Sequence, residues 1–239
     1  DGNITIGEIE ETSTASIRGI RSSGITIGMD KIINKNQMFG AALRIEDDKN
    51  DIGTTGTKLN TDGYSLSFYG TNQINDNTFI ASTLGIGLLR VKSTRIHQSG
   101  ILSGIREGDQ IFGSILFGTE TPLYNNGKVN NQATLTLYGR LDGGYTTLQN
   151  YSEFGTVAAL IYNEQNLRTA KGSIGMKADD KIKLNELTFM PRARIEYGWD
   201  FSNSSDAIIS YNTYPNTNYT FAIDPSRNAN LRLGLGADI

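Results

Sequence analysis

The segment Ala133-Thr-Leu-Thr-Leu-Tyr-Gly-Arg-Leu-Asp142 decides the fold, because its side chains alternate between two chemical classes. One parity is apolar or small, and its members are Ala133, Leu135, Leu137, Gly139 and Leu141. The other parity is polar apart from one aromatic ring, and its members are Thr134, Thr136, Tyr138, Arg140 and Asp142. Successive side chains of a β-strand point to opposite faces, so the segment predicts a strand with one apolar and one polar face.

Alternation of this kind recurs along the chain, and no helical pattern separates the segments. The segments predicted to be strands are 3–11, 17–32, 39–46, 64–69, 79–91, 110–119, 133–142, 167–177, 187–200 and 231–239. Several reach the ~9–11 residues that a tilted strand needs to cross a bilayer, whereas strands of soluble sheets average ~5–6. The sequence therefore predicts an all-β fold, an antiparallel transmembrane β-barrel with about ten strands in this chain.

The predicted connections between strands alternate in length. The short ones are 33–36, 73–77 and 178–186, the intermediate one is 123–130, and the long ones are 47–60, 93–108, 150–166 and 201–228. Short turns at one rim and long loops at the other are typical of outer-membrane barrels. Within the longest connection, residues 206–224 are predicted to extend a hairpin beyond the membrane rather than to cross it.

The composition narrows the classes of function. The 239 residues contain no cysteine, which excludes disulfides and thiolate metal sites, and the net charge of -3 without a basic run argues against a nucleic-acid partner. The mean hydropathy of -0.34 leaves no stretch that could form a transmembrane helix. The single histidine, His97, lies in a long polar loop without a nucleophile motif. We therefore expect no enzyme activity, no catalytic residues, no metal site and no cofactor.

Four motifs resemble those of the autotransporter β-domain, the translocator of type V secretion. They are Gly24-Ile-Thr-Ile-Gly28-Met-Asp30, Phe39-Gly40-Ala-Ala, Met190-Pro191-Arg-Ala193 and Leu231-Arg-Leu-Gly234-Leu-Gly236. They follow the order and spacing of that family over nearly the whole chain. The resemblance implies one domain over residues 1–239, belonging to a twelve-stranded barrel in the outer membrane of Gram-negative bacteria. Such a barrel translocates and then anchors an N-terminal passenger, and its partners are outer-membrane lipid and the barrel-assembly machinery.

The chain departs from the family pattern at its C-terminal end. It ends Ala237-Asp238-Ile239, where the family usually ends in an aromatic residue, and only ten strands are predicted. We therefore expect that the domain is truncated and that two more strands follow Ile239. The passenger and a helix threading the pore are expected before Asp1.

Charged residues of the polar parity are predicted to line the lumen, because one arginine facing lipid near the bilayer midplane costs ~2–4 kcal/mol. The predicted lumen-lining residues are Arg44, Glu46, Arg140, Asp142, Arg192, Arg194, Glu196, Arg232 and Asp238. Residues of mixed sign can form a network that holds a plug segment. Alternatively, they solvate a water-filled interior and stiffen the wall.

Three functions remain open at this point. The first is an outer-membrane translocator that exports and anchors a passenger. The second is a porin-like or structural outer-membrane barrel without a passenger. The third is a soluble β-rich adhesin module, which would refold without detergent and would show no lipid-facing stripe.

Overall fold

The chain folds entirely into β-structure in its described parts. The computed structural model describes residues 2–9, 18–125, 128–184, 187–202, 204–223 and 229–238. These ranges contain fifteen strands, and none of them contains a helix long and apolar enough to cross a membrane. This finding concerns helices alone.

Along the chain, the strands of these ranges are β1 (Gly2–Ile9), β2 (Arg18–Asn34), β3 (Gln37–Ile52), β4 (Thr57–Asn75), β5 (Thr78–His97), β6 (Gly100–Asn125), β7 (Lys128–Leu148), β8 (Tyr151–Ser152), β9 (Leu160–Tyr162), β10 (Gln165–Asp179), β11 (Ile182–Leu184), β12 (Leu187–Asp200), β13 (Ser205–Tyr211), β14 (Tyr214–Ile223) and β15 (Asn230–Asp238).

Ten of these strands form one antiparallel sheet that curls into a half-barrel. Its order is β1-β2-β3-β4-β5-β6-β7-β10-β12-β15, and the short β11 continues the line of β10 along the start of β12. The fold class and all ten predicted strands are confirmed. Residues 10, 11, 17 and 239, which the prediction included in strands, lie outside the described residues. The four remaining strands form a second, smaller sheet with the order β14-β13-β9-β8.

The two faces of the main sheet differ as the alternation predicts. Leu43 and Ile45 are exposed on β3, whereas Arg44 and Glu46, which alternate with them, are half-buried on the other face. Apolar residues of the first face stay exposed across the sheet, and examples are Ile27, Leu84, Ile86, Ile115, Leu141, Leu233 and Leu235. An exposed apolar surface of this extent is typical of a contact with lipid or with another protein.

The predicted strand 110–119 is apolar on both parities, and the structure of β6 shows which parity lies on which face. Ile111, Ile115 and Phe117 lie on the exposed face. Phe112 points to the polar face, where a Cβ at Gly85 of β5 would overlap its ring. One apolar residue on the polar side is therefore an aromatic ring that covers a glycine of the neighbouring strand, and a second, Leu116, lies opposite Arg140 of β7.

The prediction of long loops at 47–60 and 93–108 is wrong. The strand β3 continues to Ile52 and β4 starts at Thr57, so the connection is a turn at 53–56 with positive φ at Gly53 (64°) and Gly56 (87°). The strands β5 and β6 are likewise joined by residues 98–99 alone. Beyond a membrane both faces of a hairpin meet water, so the apolar alternation stops although the backbone ladder continues. The segment 206–223 forms a hairpin of its own, β13–β14, within the small sheet instead of extending β12 and β15, and Asp224 lies outside the described residues.

Candidate functional site on the polar face

The predicted lumen residues lie on four strands of the main sheet. Arg44 and Glu46 are on β3, Arg140 and Asp142 on β7, Arg192, Arg194 and Glu196 on β12, and Arg232 and Asp238 on β15. The side chain of Asp238 lies outside the described part of the structure. The other eight fall into three groups, which are centred on Glu196, Glu46 and Asp179.

The first group is a row across four adjacent strands. Gly175 of β10 lies opposite Tyr138 of β7 on one side and opposite Glu196 of β12 on the other. Glu196 in turn lies opposite Arg232 of β15. A Cβ at Gly175 would overlap the ring of Tyr138, so the glycine is what allows this ring to reach β12. Strand register therefore brings together residues that are far apart in sequence.

Glu196 is the acceptor at the centre of this row and is only 1% exposed. Its Oε2 accepts a 2.8 Å hydrogen bond from the Tyr138 hydroxyl. Its Oε1 accepts from Nη2 of Arg140 at 3.0 Å and from Nη1 of Arg232 at 3.4 Å. Arg140 also donates from Nε to Asp142 at 3.0 Å. A buried carboxylate is tolerated when it is paired and hydrogen-bonded, and Glu196 satisfies both conditions.

The second group is an ion pair within β3. Nε of Arg44 donates to Oε2 of Glu46 at 2.8 Å, and its Nη1 donates to the hydroxyl of Thr26 at 3.1 Å. Glycines provide the space for both side chains. A Cβ at Gly24 would lie 2.7 Å from Nη2 of Arg44, and one at Gly63 would lie 2.7 Å from Cγ of Glu46.

The third group is rich in positive charge and lies where β10 ends and β12 begins. Asp179 accepts from Lys177 at 2.8 Å and lies 3.9 Å from Nε of Arg192. Arg194 lies opposite Lys177 in the ladder and is exposed on the same face. Two arginines and a lysine therefore lie near Asp179 on this part of the polar face.

Two members of the Glu196 row, Tyr138 and Gly175, were not predicted as site residues. Tyr138 does stand on the polar parity of β7, two residues before Arg140, which is the one signal for it in the sequence. Gly175 gives no signal of its own because its role depends on what the neighbouring strands place beside it.

His97 lies at the exposed tip of the β5–β6 hairpin. Its Nδ1 lies 2.8 Å from the hydroxyl of Ser99, which lies 2.8 Å from the hydroxyl of Thr156. The backbone N–H of Ser99 donates to the same Nδ1 at 3.2 Å, so the contact shapes the turn. In the described ranges no three His, Cys, Asp or Glu side chains are grouped so that they could hold a metal ion.

Comparison with protein families gives one match over almost the whole chain. The model of the autotransporter β-domain matches residues 3–239. Among curated proteins, outer membrane protein B of Rickettsia japonica is 36% identical over 75 residues, which are 30% of this chain and 4% of that protein. Outer membrane protein B of Rickettsia prowazekii is 27% identical over 163 residues, which are 63% of this chain and 10% of that protein. The matched part of this chain spans a tenth or less of these relatives.

Solved structures show the same fold at low sequence identity. The translocator domain of the autotransporter NalP from Neisseria meningitidis has a TM-score of 0.73 and 15% identity, over 99% of this chain and 85% of that one. The β-domain of the Bordetella autotransporter BrkA has a TM-score of 0.59 and 12% identity, over 99% of this chain and 97% of that one. Both support a barrel architecture for the curled sheet.

Proposed function

We propose that this chain, which belongs to the autotransporter β-domain family, forms the wall of an outer-membrane pore that exports a passenger and then anchors it. Membership confirms the predicted family, the predicted translocator class and the predicted location in the bacterial outer membrane. The attachment of the passenger on the N-terminal side of this chain belongs to the proposal.

The observation that carries the proposal is the chemical difference between the two faces of the sheet. The exposed aliphatic face is suited to lipid, and the opposite face holds the Glu196 row and the other charged groups. In a bilayer each backbone polar group needs a partner within the protein, which a closed sheet provides. A closed sheet with this orientation has a lipid-facing wall and a wet lumen, which is what an unfolded polar chain needs for passage.

We propose that the nine predicted residues line this lumen. The ion pairs of Arg44, Arg140 and Arg232 stiffen the wall, because each is held by a carboxylate. We propose that the group around Asp179 contacts a passing or plugging segment through its charged side chains. The sequence left two roles open for these residues, which were to stiffen the wall and to hold a plug segment. We assign the two roles to different groups of the same face.

Closure of the barrel needs partners for the two edge strands. In the described residues β1 pairs with β2 and β15 pairs with β12, each on one side alone. An unpaired edge in lipid costs several kcal/mol per unsatisfied group, on the order of a polar group left without a hydrogen bond. We propose that two further strands complete a twelve-stranded domain between β15 and β1.

Two partners follow from this location. Lipid is proposed as the solvent of the exposed aliphatic face. The barrel-assembly machinery is proposed as the folding partner, because a chain with this apolar face must cross an aqueous compartment before it reaches the membrane. The work of the domain is transport and anchoring, and we propose that it catalyses no bond-making step.

Surface proteolysis of intact cells that express the full-length protein tests the proposed function. We expect protease to remove a segment N-terminal to residue 1 while the barrel resists digestion. A variant lacking residues 1–239 should leave that segment inside the cell. A periplasmic marker protein serves as the control for cell integrity. The proposal is contradicted if the barrel assembles and no N-terminal segment is reached from outside.

A further inference from the structure

The small sheet β14-β13-β9-β8 packs against one face of the β5–β6 hairpin. The ring of Tyr151 in β8 lies on Gly104 of β6, where an added Cβ would be 2.6 Å from the ring. The Tyr151 hydroxyl lies 3.4 Å from that of Ser93, the partner of Gly104 across the β5–β6 ladder. Leu102, two residues before Gly104 on the same face, is fully buried. The small sheet therefore covers this face of the hairpin.

The covered face continues the polar face of the main sheet. The β5–β6 ladder keeps one register from Thr78 to His97, so side chains of one parity stay on one face throughout. Ser93 and Gly104 have the parity of Thr83 and Ser114, which face each other on the polar face. The opposite parity of the hairpin stays exposed, as at Ile101. The small sheet therefore lies on the inner side of the hairpin, toward the proposed lumen.

The small sheet also reaches the strand on the far side of β7. Gln165 of β10 shares the parity of Gly175 and therefore belongs to the polar face as well. Its Nε2 donates to the hydroxyl of Ser205 in β13 at 3.1 Å, and its Oε1 accepts from Nη1 of Arg106 in β6 at 3.3 Å. Since the order is β5-β6-β7-β10, the small sheet crosses the inner side of the curled sheet from β5 to β10.

The crossing lies at one end of the main sheet. The small sheet is inserted between β7 and β10 and between β12 and β15, at the end opposite to the turns 35–36 and 76–77. In outer-membrane barrels the short turns face the periplasm and the longer connections face outward. In the proposed pore, this end is where an exported chain leaves the lumen.

We propose that the small sheet is a lid over the exit of the lumen, and that Arg95 and Glu153 are its latch. The inference rests on the proposed pore. Arg95 of β5 donates from Nε and Nη2 to the carboxylate of Glu153 at 3.0 and 2.5 Å, and from Nη2 to the carbonyl of Ala158 at 2.9 Å. Glu153 is 1% exposed, so water does not compete for this pair. A bidentate pair fixes orientation as well as distance, which suits a latch.

The root of the lid is held separately from the latch. Arg106 of β6 donates from Nε to the carbonyl of Gln149 at 2.7 Å and from Nη2 to the carbonyl of Asn163 at 2.6 Å. These two residues lie where the chain leaves β7 and where it approaches β10. Release of Arg95 would thus let the lid turn about its root, while the ladder of the main sheet stays intact. A chain that leaves the lumen requires this movement.

A disulfide that locks the lid tests the proposal in cells that express the full-length protein. The backbones of Ser103 in β6 and Phe154 beside β8 exchange two hydrogen bonds of 2.9 and 2.8 Å. Antiparallel partners of this kind have Cα atoms about 5.5 Å apart, a distance that a disulfide spans. Ser103→Cys combined with Phe154→Cys should lower surface display of the passenger at least ~10-fold, and a reductant in the medium should restore it.

The matched control joins two strands that do not move relative to each other. Asp51→Cys combined with Lys58→Cys pairs exposed ladder partners of the β3–β4 hairpin and should leave display unchanged. The lid is overturned if the locked and reduced proteins display the passenger alike, or if the two thiols at 103 and 154 do not pair. If even the wild-type protein displays no passenger, the proposed function fails, and the following readout still decides the lid.

Access to the lumen from outside gives a readout that needs no export. The 239 residues contain no cysteine, so Thr83→Cys on the polar face introduces a unique thiol within this chain. A membrane-impermeant maleimide added to intact cells should label it at least ~5-fold faster once Glu153→Gln weakens the latch, because the open lid becomes more populated. Asp62→Asn removes the exposed ion pair with Lys92 and should leave the rate unchanged. Equal rates for Glu153→Gln and Asp62→Asn, with the heat-resistant barrel retained in both, overturn the lid.

Discussion

The hydroxyl of Tyr138 donates a 2.8 Å hydrogen bond to Oε2 of Glu196 although a complete strand, β10, lies between their own strands. The contact is possible because β10 presents Gly175 at that point. With Arg232 on β15, the row links four strands of the curled sheet through one buried carboxylate. Three donors of the wall, Tyr138, Arg140 and Arg232, therefore share one buried acceptor.

Removal of the charge at Glu196 should weaken the wall. Glu196→Gln keeps the shape of the side chain but takes the anionic partner from Arg140 and Arg232. Hydrogen bonds to charged groups contribute about 1.5–3 kcal/mol to stability, so we expect the free energy of unfolding to fall by about that amount. Urea unfolding of the full-length protein in lipid vesicles measures it. Asp142→Asn is the control and should cost less than about 1 kcal/mol, because its ion pair is partly exposed. Equal losses for the two variants would refute the central role of Glu196.

Filling the space at Gly175 should displace the Tyr138 ring. Overpacking of this kind typically costs about 1–3 kcal/mol, and we expect that cost for Gly175→Ala. In a Tyr138→Ser background the same substitution should cost little, which a double-mutant cycle of unfolding free energies can establish. Gly139→Ala is the matched control, since a Cβ added at Gly139 would have the Ser173 carbonyl oxygen, 3.9 Å away, as its nearest neighbour. Absence of coupling between Gly175 and Tyr138 would contradict this packing.

Loss of Arg106 should loosen the small sheet and leave the barrel intact. Arg106→Met keeps much of the side-chain volume but removes the donors to Gln149, Asn163 and Gln165. A buried acceptor left without a partner costs about 1–3 kcal/mol, and Gln165 is buried, so amide hydrogen exchange at 149–165 should accelerate. Arg90→Met, at an exposed position of β5, should leave the exchange unchanged. Unaltered protection in Arg106→Met would mean that other contacts hold the sheet.

Alkaline pH should open the same sheet. Burial raises the pKa of the Tyr162 hydroxyl above its ordinary value of 10, and burial also raises the pKa of Tyr151, on whose ring Tyr162 stacks at 4.7 Å. The folded state holds these protons more tightly than the unfolded state does. The contribution of these two hydroxyls to the free energy of unfolding is therefore complete below about pH 10, and it declines as the pH rises beyond that value. Ultraviolet titration should show two tyrosines ionising late, and their ionisation together with exposed tyrosines would contradict the burial.

The strands of the main sheet could be predicted because the membrane leaves a direct signal in the sequence. Each crossing segment must be apolar on one face, so 133–142 and 187–200 could be identified from alternation alone. The hairpin tips at 53–56 and 98–99 could not, because both faces of a hairpin beyond the membrane are wet. The small sheet gives no such signal, since Arg106 and Glu153 are buried by loops that are distant in sequence.

The face of the sheet on which each charged residue lies could be predicted, but the grouping of these residues could not. Parity placed Arg140 and Glu196 on the same face. Which residues meet depends on register, however, and a shift of one residue in β10 would move Gly175 away from Tyr138. The structure therefore shows three separate groups where the sequence predicted one network. Tyr138 and Gly175 belong to the first group, and alternation alone does not reveal them.

The proposed pore depends most on which face of the sheet meets lipid, and two neighbouring residues of β6 test this directly. Ile115 is 60% exposed on the aliphatic face, whereas Ser114 lies on the polar face opposite Asp142 of β7. In the full-length protein we expect Ile115→Arg to cost up to ~2–4 kcal/mol and to abolish both the heat-resistant barrel and the surface display of the passenger. Ser114→Arg should preserve both, because its charge faces a wet lumen and a carboxylate. If Ser114→Arg prevents assembly while Ile115→Arg is tolerated, the two faces are assigned the wrong way round and the proposed pore wall is wrong.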